Sequence, residues 1–375
     1  MKKIIKFFCI SSIMIILLTF MGCNIGEGGN NQDNSGPTGT FVPEQNINIS
    51  VEFMVTDPLL YEQYQTQGLP EVIERIAPSV VGVSVSTDNL TASGTGIVVA
   101  NNESEELTFI VTSHSLIAGA KNVTVTDFAT GKEYSASPVG TDPQTDICVI
   151  KISAFLQKSI IYAQSSTLKT GTEILSLSNL MGSQKIFAST GIIGATDFIM
   201  SAGEGKTNSL TLTNVLWTNN SVGGGIFTQD GGYLVGMICT GSTPNMPAYV
   251  ISSDTLQEVC TEILETGVVE GRYKLGISVA DNKSGWGITE SVSIIQLAND
   301  GCMYADGAGL KEGDIIESFI YDGTTYQINK TEDLYGYLYG FEFSIGDKII
   351  FNIERTGTRT QIEITIKQYN YFDYQ

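Results

Sequence analysis

Gly96-Ile97-Val98-Val99, Leu107-Thr108-Phe109-Ile110-Val111, Asn122-Val123-Thr124-Val125-Thr126 and Ile147-Cys148-Val149-Ile150-Lys151-Ile152 lie within one stretch of 57 residues, and their pattern decides the fold class. Each is a short apolar run of strand length, and Gly, Asn, Asp and Thr break the chain between them. Val80–Val85 precedes them, and Glu173–Leu177, Leu210–Val215 and Tyr233–Ile238 continue the style. Many short strands at regular spacing predict an antiparallel barrel or sandwich. A helix follows. Ser253 or Asp254 can cap it, Leu256, Val259, Cys260 and Ile263 recur at helical spacing, and Gly267 supplies the stop. Tyr273 to Ile366 returns to strands and turns, with one helix-like stretch over Thr331–Tyr339, so a second domain is expected there.

Composition narrows the function. The chain has 375 residues, a net charge of -20, 42% hydrophobic and 16% charged residues, and 40 glycines against 9 prolines. This suits two globular, turn-rich domains and is too apolar for disorder. Forty acidic against twenty basic residues argue against a nucleic-acid partner, because phosphate neutralisation needs clustered Lys and Arg. The single histidine, His114, makes a multi-histidine metal site impossible, and no Cys or His spacing suits a metal or cofactor. Cys148 and Cys239 lie in apolar runs and read as small buried hydrophobes, whereas Cys260 and Cys302 leave open whether they are bridged.

The N-terminus reads as an address. Lys2, Lys3 and Lys6 precede an apolar run from Phe7 to Met21, as in a secretory signal. Leu18-Thr19-Phe20-Met21-Gly22-Cys23 resembles a bacterial lipobox, which implies cleavage after residue 22 and a lipid on Cys23. An ordinary signal peptide with an incidental cysteine is the alternative. Residues 23–48, rich in Asn, Gly, Gln and Pro, form an expected flexible tether, and 49–68 stay unassigned.

Six stretches in one order then resemble the protease domain of the HtrA/DegP family, a trypsin-like double β-barrel, over residues 69–266. Ile76–Val81 resembles its opening strand and Ser93-Gly94-Thr95-Gly96-Ile97-Val98 the strand that follows. Phe109–Thr112 and Ala118-Gly119-Ala120 bracket the place of the family's histidine, and Asp142-Pro143-Gln144-Thr145-Asp146-Ile147 resembles its aspartate motif. Ser165–Gly171 with Thr190–Ile193 match later strands, and Gly223-Gly224-Gly225-Ile226-Phe227 up to Gly236 sits at the nucleophile loop. Residues 272–368 resemble the PDZ domain that follows the protease in this family. Tyr273-Lys274-Leu275-Gly276-Ile277 looks like the carboxylate-binding loop, Ala308–Ile316 like the helix-to-strand segment, and Thr331-Glu332-Asp333-Leu334 like the start of the groove helix. The resemblance implies that the amides of Leu275, Gly276 and Ile277 bind a polypeptide C-terminus as an added strand.

A serine protease needs a hydroxyl nucleophile, an imidazole beside it and a carboxylate behind the imidazole. Asp146 is in register with the family's aspartate. His114 stands one residue early, and gapless alignment from Ala118 puts Ser115 in the histidine slot. Anchored on its glycines, the nucleophile loop puts Val222 in the serine slot, Ser221 one residue early, and Asn220 where a glycine normally helps to form the oxyanion hole. Two such slips predict a domain without proteolysis that binds unfolded or C-terminal segments at the cell envelope, on the extracytoplasmic side. One alternative is an active endopeptidase using Ser221, His114 and Asp146, with Val222 an insertion. Another is a PDZ scaffold with the barrels as a spacer. Family members assemble as trimers, so a homo-oligomer is compatible with the resemblance.

Overall fold

The computed structural model describes residues 68–87, 90–157, 160–182, 185–201, 207–239, 247–298, 301–303 and 309–369. The signal segment 1–22, Cys23, the tether 23–48 and nearly all of 49–68 lie outside the described residues, as does Ala308.

The chain is mainly β. Helix α1 (Leu69–Ile76) opens it, with Pro70 at its first turn, where the missing N–H costs nothing. The first barrel follows: β1 (Val80–Ser86), β2 (Thr91–Asn102), β3 (Leu107–Ser113), the short α2 (His114–Ile117), β4 (Asn122–Asp127), β5 (Glu133–Asp142) and β6 (Ile147–Ile152). It closes in the order β1-β2-β3-β6-β5-β4. The second contains β7 (Glu173–Ser178), β8 (Phe187–Ser201), β9 (Thr207–Thr213), β10 (Gly225–Thr228), β11 (Leu234–Ile238) and β12 (Ala248–Ser252). It closes in the same order, β7-β8-β9-β12-β11-β10, so one six-stranded plan is used twice.

Val81, Val83, Val98, Ile110, Val125, Cys148 and Ile150 fill the first barrel, and Ile174, Ile193, Ile226, Val235, Ile238 and Val250 the second. The opposite faces of several of these strands carry Ile97, Phe109, Val111 and Val149 from the first barrel and Leu175, Phe227, Leu234 and Met237 from the second. These residues share one cluster, which joins the barrels. The period-two alternation of strands makes both faces of β2, β3, β6, β10 and β11 apolar and explains why their runs are nearly continuous. Helix α3 (Ser253–Thr266) buries Leu256, Val259, Cys260 and Ile263 in the same cluster. Ser252 caps it, its hydroxyl accepting from Thr255 N, and Gly267 ends it at φ +81°, a conformation that favours glycine.

A third sheet follows, with its own core around Val292, Ile316, Phe319, Leu334, Phe351 and Ile353. Its strands β13 (Ile277–Lys283), β14 (Thr289–Leu297), β15 (Ile315–Tyr321), β17 (Lys348–Arg355) and β18 (Thr358–Thr365) pair in that order, and β16 (Thr324–Gln327) pairs with β15. Helix α4 (Thr331–Gly340) packs against it, as expected for a PDZ-type domain. Between α3 and this sheet, Arg272 bonds the buried Asp142 carboxylate of the first barrel through Nη2 at 2.9 Å and Nε at 3.0 Å. Cys148, Cys239, Cys260 and Cys302 are all free thiols, the first three buried. Burial pushes the Cys148 and Cys239 thiols up to about 12, so both behave as apolar fillers.

Candidate active-site cleft

The site follows from strand register. β3 pairs with β6, with Ser113 opposite Ile147, and β5 pairs with β6, with Asp142 opposite Ile147. The end of β3 therefore lies beside the turn that carries Asp146. Asp146 takes φ +60°, in the left-handed region that Asp tolerates better than most residues. Its carbonyl accepts from His114 N at 3.1 Å, and its carboxylate turns onto the start of α2. Oδ1 accepts from Ser115 N at 2.8 Å and from Ser115 Oγ at 2.6 Å, and the Ser113 hydroxyl reaches both carboxylate oxygens at 2.8 Å.

Ser115 thus stands where an aspartate would hold an imidazole. His114 faces a different partner. Its Nδ1 lies 2.8 Å from Thr141 Oγ1 on β5, and that hydroxyl also lies 3.0 Å from the Ile147 carbonyl. One residue along a helical turn rotates the side chain by ~100°, which accounts for the change of partner. Burial lowers the His114 pKa below 6.5. The Asp146 and Asp142 carboxylates oppose that shift, and the Lys274 ammonium adds to it.

Across the cleft, residues 219–221 form a tight turn between β9 and β10. Ser221 is fully buried. Its Oγ accepts from Thr218 N at 3.1 Å and from the Ser178 hydroxyl at 3.1 Å, so it is turned into the second barrel. Val222 occupies the next position and is nearly buried. The two amides that would face an oxyanion have internal partners: Asn220 N donates to Thr218 Oγ1 at 3.3 Å and Val222 N to the Asn219 carbonyl at 3.4 Å. The Asn220 carboxamide spans the cleft rim, its nitrogen donating to Ser93 Oγ at 3.0 Å and its oxygen accepting from Gly182 N at 3.2 Å.

Thr95, which the sequence identified only as part of a strand motif, ties this turn to the first barrel. Its amide donates to the Val222 carbonyl at 2.9 Å, and its hydroxyl donates to the Asn220 carbonyl at 3.0 Å. Gly223, at φ +84°, passes so close that an added Cβ would strike the Thr95 carbonyl. The roles of Thr95, Ser113, Thr141, Ser178 and Thr218 could not be read from their local sequence, because each depends on a partner set by strand pairing. Among the described residues no group of His, Cys, Asp or Glu could hold a metal.

In the third sheet, the segment Lys274-Leu275-Gly276-Ile277 leads into β13. The Lys274, Leu275 and Gly276 carbonyls accept from Cys302, Met303 and Ala298 amides at 2.7, 3.0 and 2.8 Å. Gly276 has φ +70°, and a Cβ there would lie 2.7 Å from Gly301 Cα, so close backbone approach requires glycine.

Residues 94–237 match the family model of the trypsin-like peptidase domain. The chain is 25% identical over 345 residues to the serine protease Do-like HtrA of Bacillus subtilis, covering 82% of this chain and 74% of the relative. It is also 25% identical over 371 residues to the serine protease Do-like HtrA of Lactococcus lactis subsp. cremoris, covering 90% and 88%. In three dimensions it resembles the HtrA-type protease AlgW solved with a tripeptide, with a TM-score of 0.51, 22% identity, and coverage of 80% of this chain and 97% of that one. Matched along most of its length and folded as two closed six-stranded barrels, this chain is a homologue of the HtrA/DegP serine proteases, built on a trypsin-like peptidase domain.

Proposed function

We propose that the chain is a non-hydrolytic HtrA homologue, held at the extracytoplasmic face of the envelope by a lipid on Cys23, that captures unfolded or C-terminal polypeptide segments. One observation carries the loss of hydrolysis: His114 Nδ1, the Asp146 carboxylate and Ser221 Oγ each bond a different set of partners. Asp146 is engaged by Ser113 and Ser115, His114 by Thr141, and Ser221 by Ser178 and Thr218. A neutral serine in the histidine slot cannot take up a proton near neutral pH. The internally bonded Asn220 and Val222 amides remove the second requirement, donors aimed at a developing oxyanion.

Capture is assigned to the third sheet, where β13 is an edge strand beside α4 and the Leu275, Gly276 and Ile277 amides would receive a terminal carboxylate. A chain rich in acidic residues has no counterpart for nucleic acid. The retained cleft gives the barrels a second surface for extended chains.

The test is covalent labelling of the purified chain by a fluorophosphonate together with hydrolysis of an unfolded protein substrate. Neither is expected. Labelling that disappears in Ser221→Ala would establish the active endopeptidase of Ser221, His114 and Asp146 instead. Membrane release by Cys23→Ala tests the anchor.

A further inference from the structure

The edge of β13 carries a feature that ordinary edge protection does not require. Val279 N, on the side of β13 away from β14, donates to Tyr335 Oη on α4 at 3.1 Å. A polypeptide terminus adding as a strand along β13 needs that amide, because alternate N–H groups of an edge strand are its main-chain donors. By the same alternation Ile277 N points to this edge, and Ile277 is the last residue of the proposed carboxylate loop. One amide proton cannot serve both the tyrosine and an incoming carbonyl.

The placement of Tyr335 is not loose. Its side chain is half-buried and packs against the core cluster that includes Leu334, Leu338, Ile277 and Val279. One helical turn earlier, on the same face, Thr331 N donates to Asp281 Oδ1 at 2.8 Å, and Asp281 Oδ2 also accepts from Thr289 Oγ1 at 3.3 Å. The helix start is therefore pinned to β13 by a carboxylate, while the tyrosine holds the strand two residues closer to the carboxylate loop. Release of the Tyr335 hydroxyl alone, with Asp281 as the pivot, exposes the Val279 amide.

The geometry points to an autoinhibitory latch: Tyr335 closes the groove between β13 and α4, and a chain terminus with an extended backbone and a free carboxylate must displace its hydroxyl from Val279 N–H. This rests on the peptide-capture reading of the third sheet and adds its regulation. The latch makes binding a competition. A net hydrogen bond of typical strength sets the cost at roughly 3- to 10-fold in affinity.

The experiment compares the purified chain with Tyr335→Phe, which keeps the ring and removes only the hydroxyl. The probes are a pool of randomised heptapeptides with free C-terminal carboxylates and the same pool amidated, read by fluorescence anisotropy. Hydrogen exchange at the Val279 amide is followed by NMR, and an unchanged urea midpoint certifies the fold. The expected result is ~3- to 10-fold tighter binding of the free-carboxylate pool by Tyr335→Phe. Its Val279 amide should exchange faster alone and regain protection with peptide. Equal binding by both proteins, or weaker binding by Tyr335→Phe, overturns the latch and leaves the groove standing. Binding of neither pool by either protein removes the groove reading and the latch with it.

Discussion

On the first-barrel wall of the cleft, the Asp146 carboxylate gathers Ser113 and Ser115, and a backbone at φ +60° is retained to aim it. On the second-barrel wall, the turn at 219–222 satisfies its own amides and buries its only hydroxyl candidate. One wall keeps its acceptor and lacks the right donor; the other has closed on itself. On the proposed non-hydrolytic reading, a carboxylate corner can persist without an imidazole because it has a second task, capping the orphan amide of Ser115 at the start of α2. A nucleophile turn has no such task once its serine has shifted. It can relax to whatever bonds the backbone best.

The largest expected effect comes from repairing both walls together. Ser115→His gives Asp146 an imidazole, Val222→Ser gives the aligned slot a hydroxyl, and Asn220→Gly frees the turn to aim its amides. A missing nucleophile or base costs on the order of 10⁶ in kcat, and the losses are not additive, so a repair on one wall should leave the rate at background. Fluorophosphonate labelling is expected for the triple variant and absent from Ser115→His alone. Labelling of the single variant would mean that the second wall is more open than its hydrogen bonds imply.

Two glycines sharpen the comparison in stability. Gly223→Ala on the second wall must fit a methyl against the Thr95 carbonyl and 2.7 Å from Thr112 Oγ1 at φ +84°. Backbone atoms cannot step aside, so a loss of ~3 kcal/mol or more is expected from clash and left-handed strain together. Gly119→Ala, just past α2 on the first wall, meets nothing within 4 Å at φ +73°. It should cost only the left-handed penalty, about 1 kcal/mol. Urea midpoints of the two variants should differ by a clear margin, and equal midpoints would contradict the tight docking of the second wall on Thr95.

A smaller difference is expected between Asp146→Ala and Ser221→Ala. The first leaves two hydroxyls and an amide without a charged acceptor, at about 2 kcal/mol, and the second removes two neutral bonds, at about 1 kcal/mol. The reverse order in denaturation would show that the turn, rather than the carboxylate corner, organises the cleft.

Much of this was legible in the sequence where the information is local. The apolar runs at 80–85, 107–111 and 147–152 became β1, β3 and β6. Gly267 ended its helix as expected. β5 was not visible as a run because Glu133–Asp142 is half-buried and polar and is bulged near Pro138. Within β8, Phe187–Ser201, only Thr190–Ile193 stood out. At the site, the displacement of His114 could be counted from Ala118, since a gapless spacing is a local quantity. The inward turn of Ser221 could not, because Ser178 decides it from 43 residues away, and Thr95 fixes Asn220 from 125 residues away. Such partners are set by barrel closure. The same holds for Tyr335 and Val279, which are 56 residues apart and brought together by the packing of α4 on β13.

The smallest effect tests what the first wall did with its displaced imidazole. Burial lowers the His114 pKa in the folded chain, so the unfolded chain binds more protons between that lowered value and 6.5. Stability must then fall as pH drops through this window, with the loss complete below the folded value. Carboxylates of Asp146 and Asp142 moderate the effect, and Lys274 reinforces it. The chain has one histidine, so no other imidazole titrates in that window. Between pH 7.5 and 5.5 the wild-type urea midpoint should fall further than that of His114→Gln, which can still bond Thr141 but cannot charge. Parallel curves would place His114 in a better-solvated or better-compensated site, with its imidazole closer to Asp146 than its bond to Thr141 implies, and would reopen the first wall as a base.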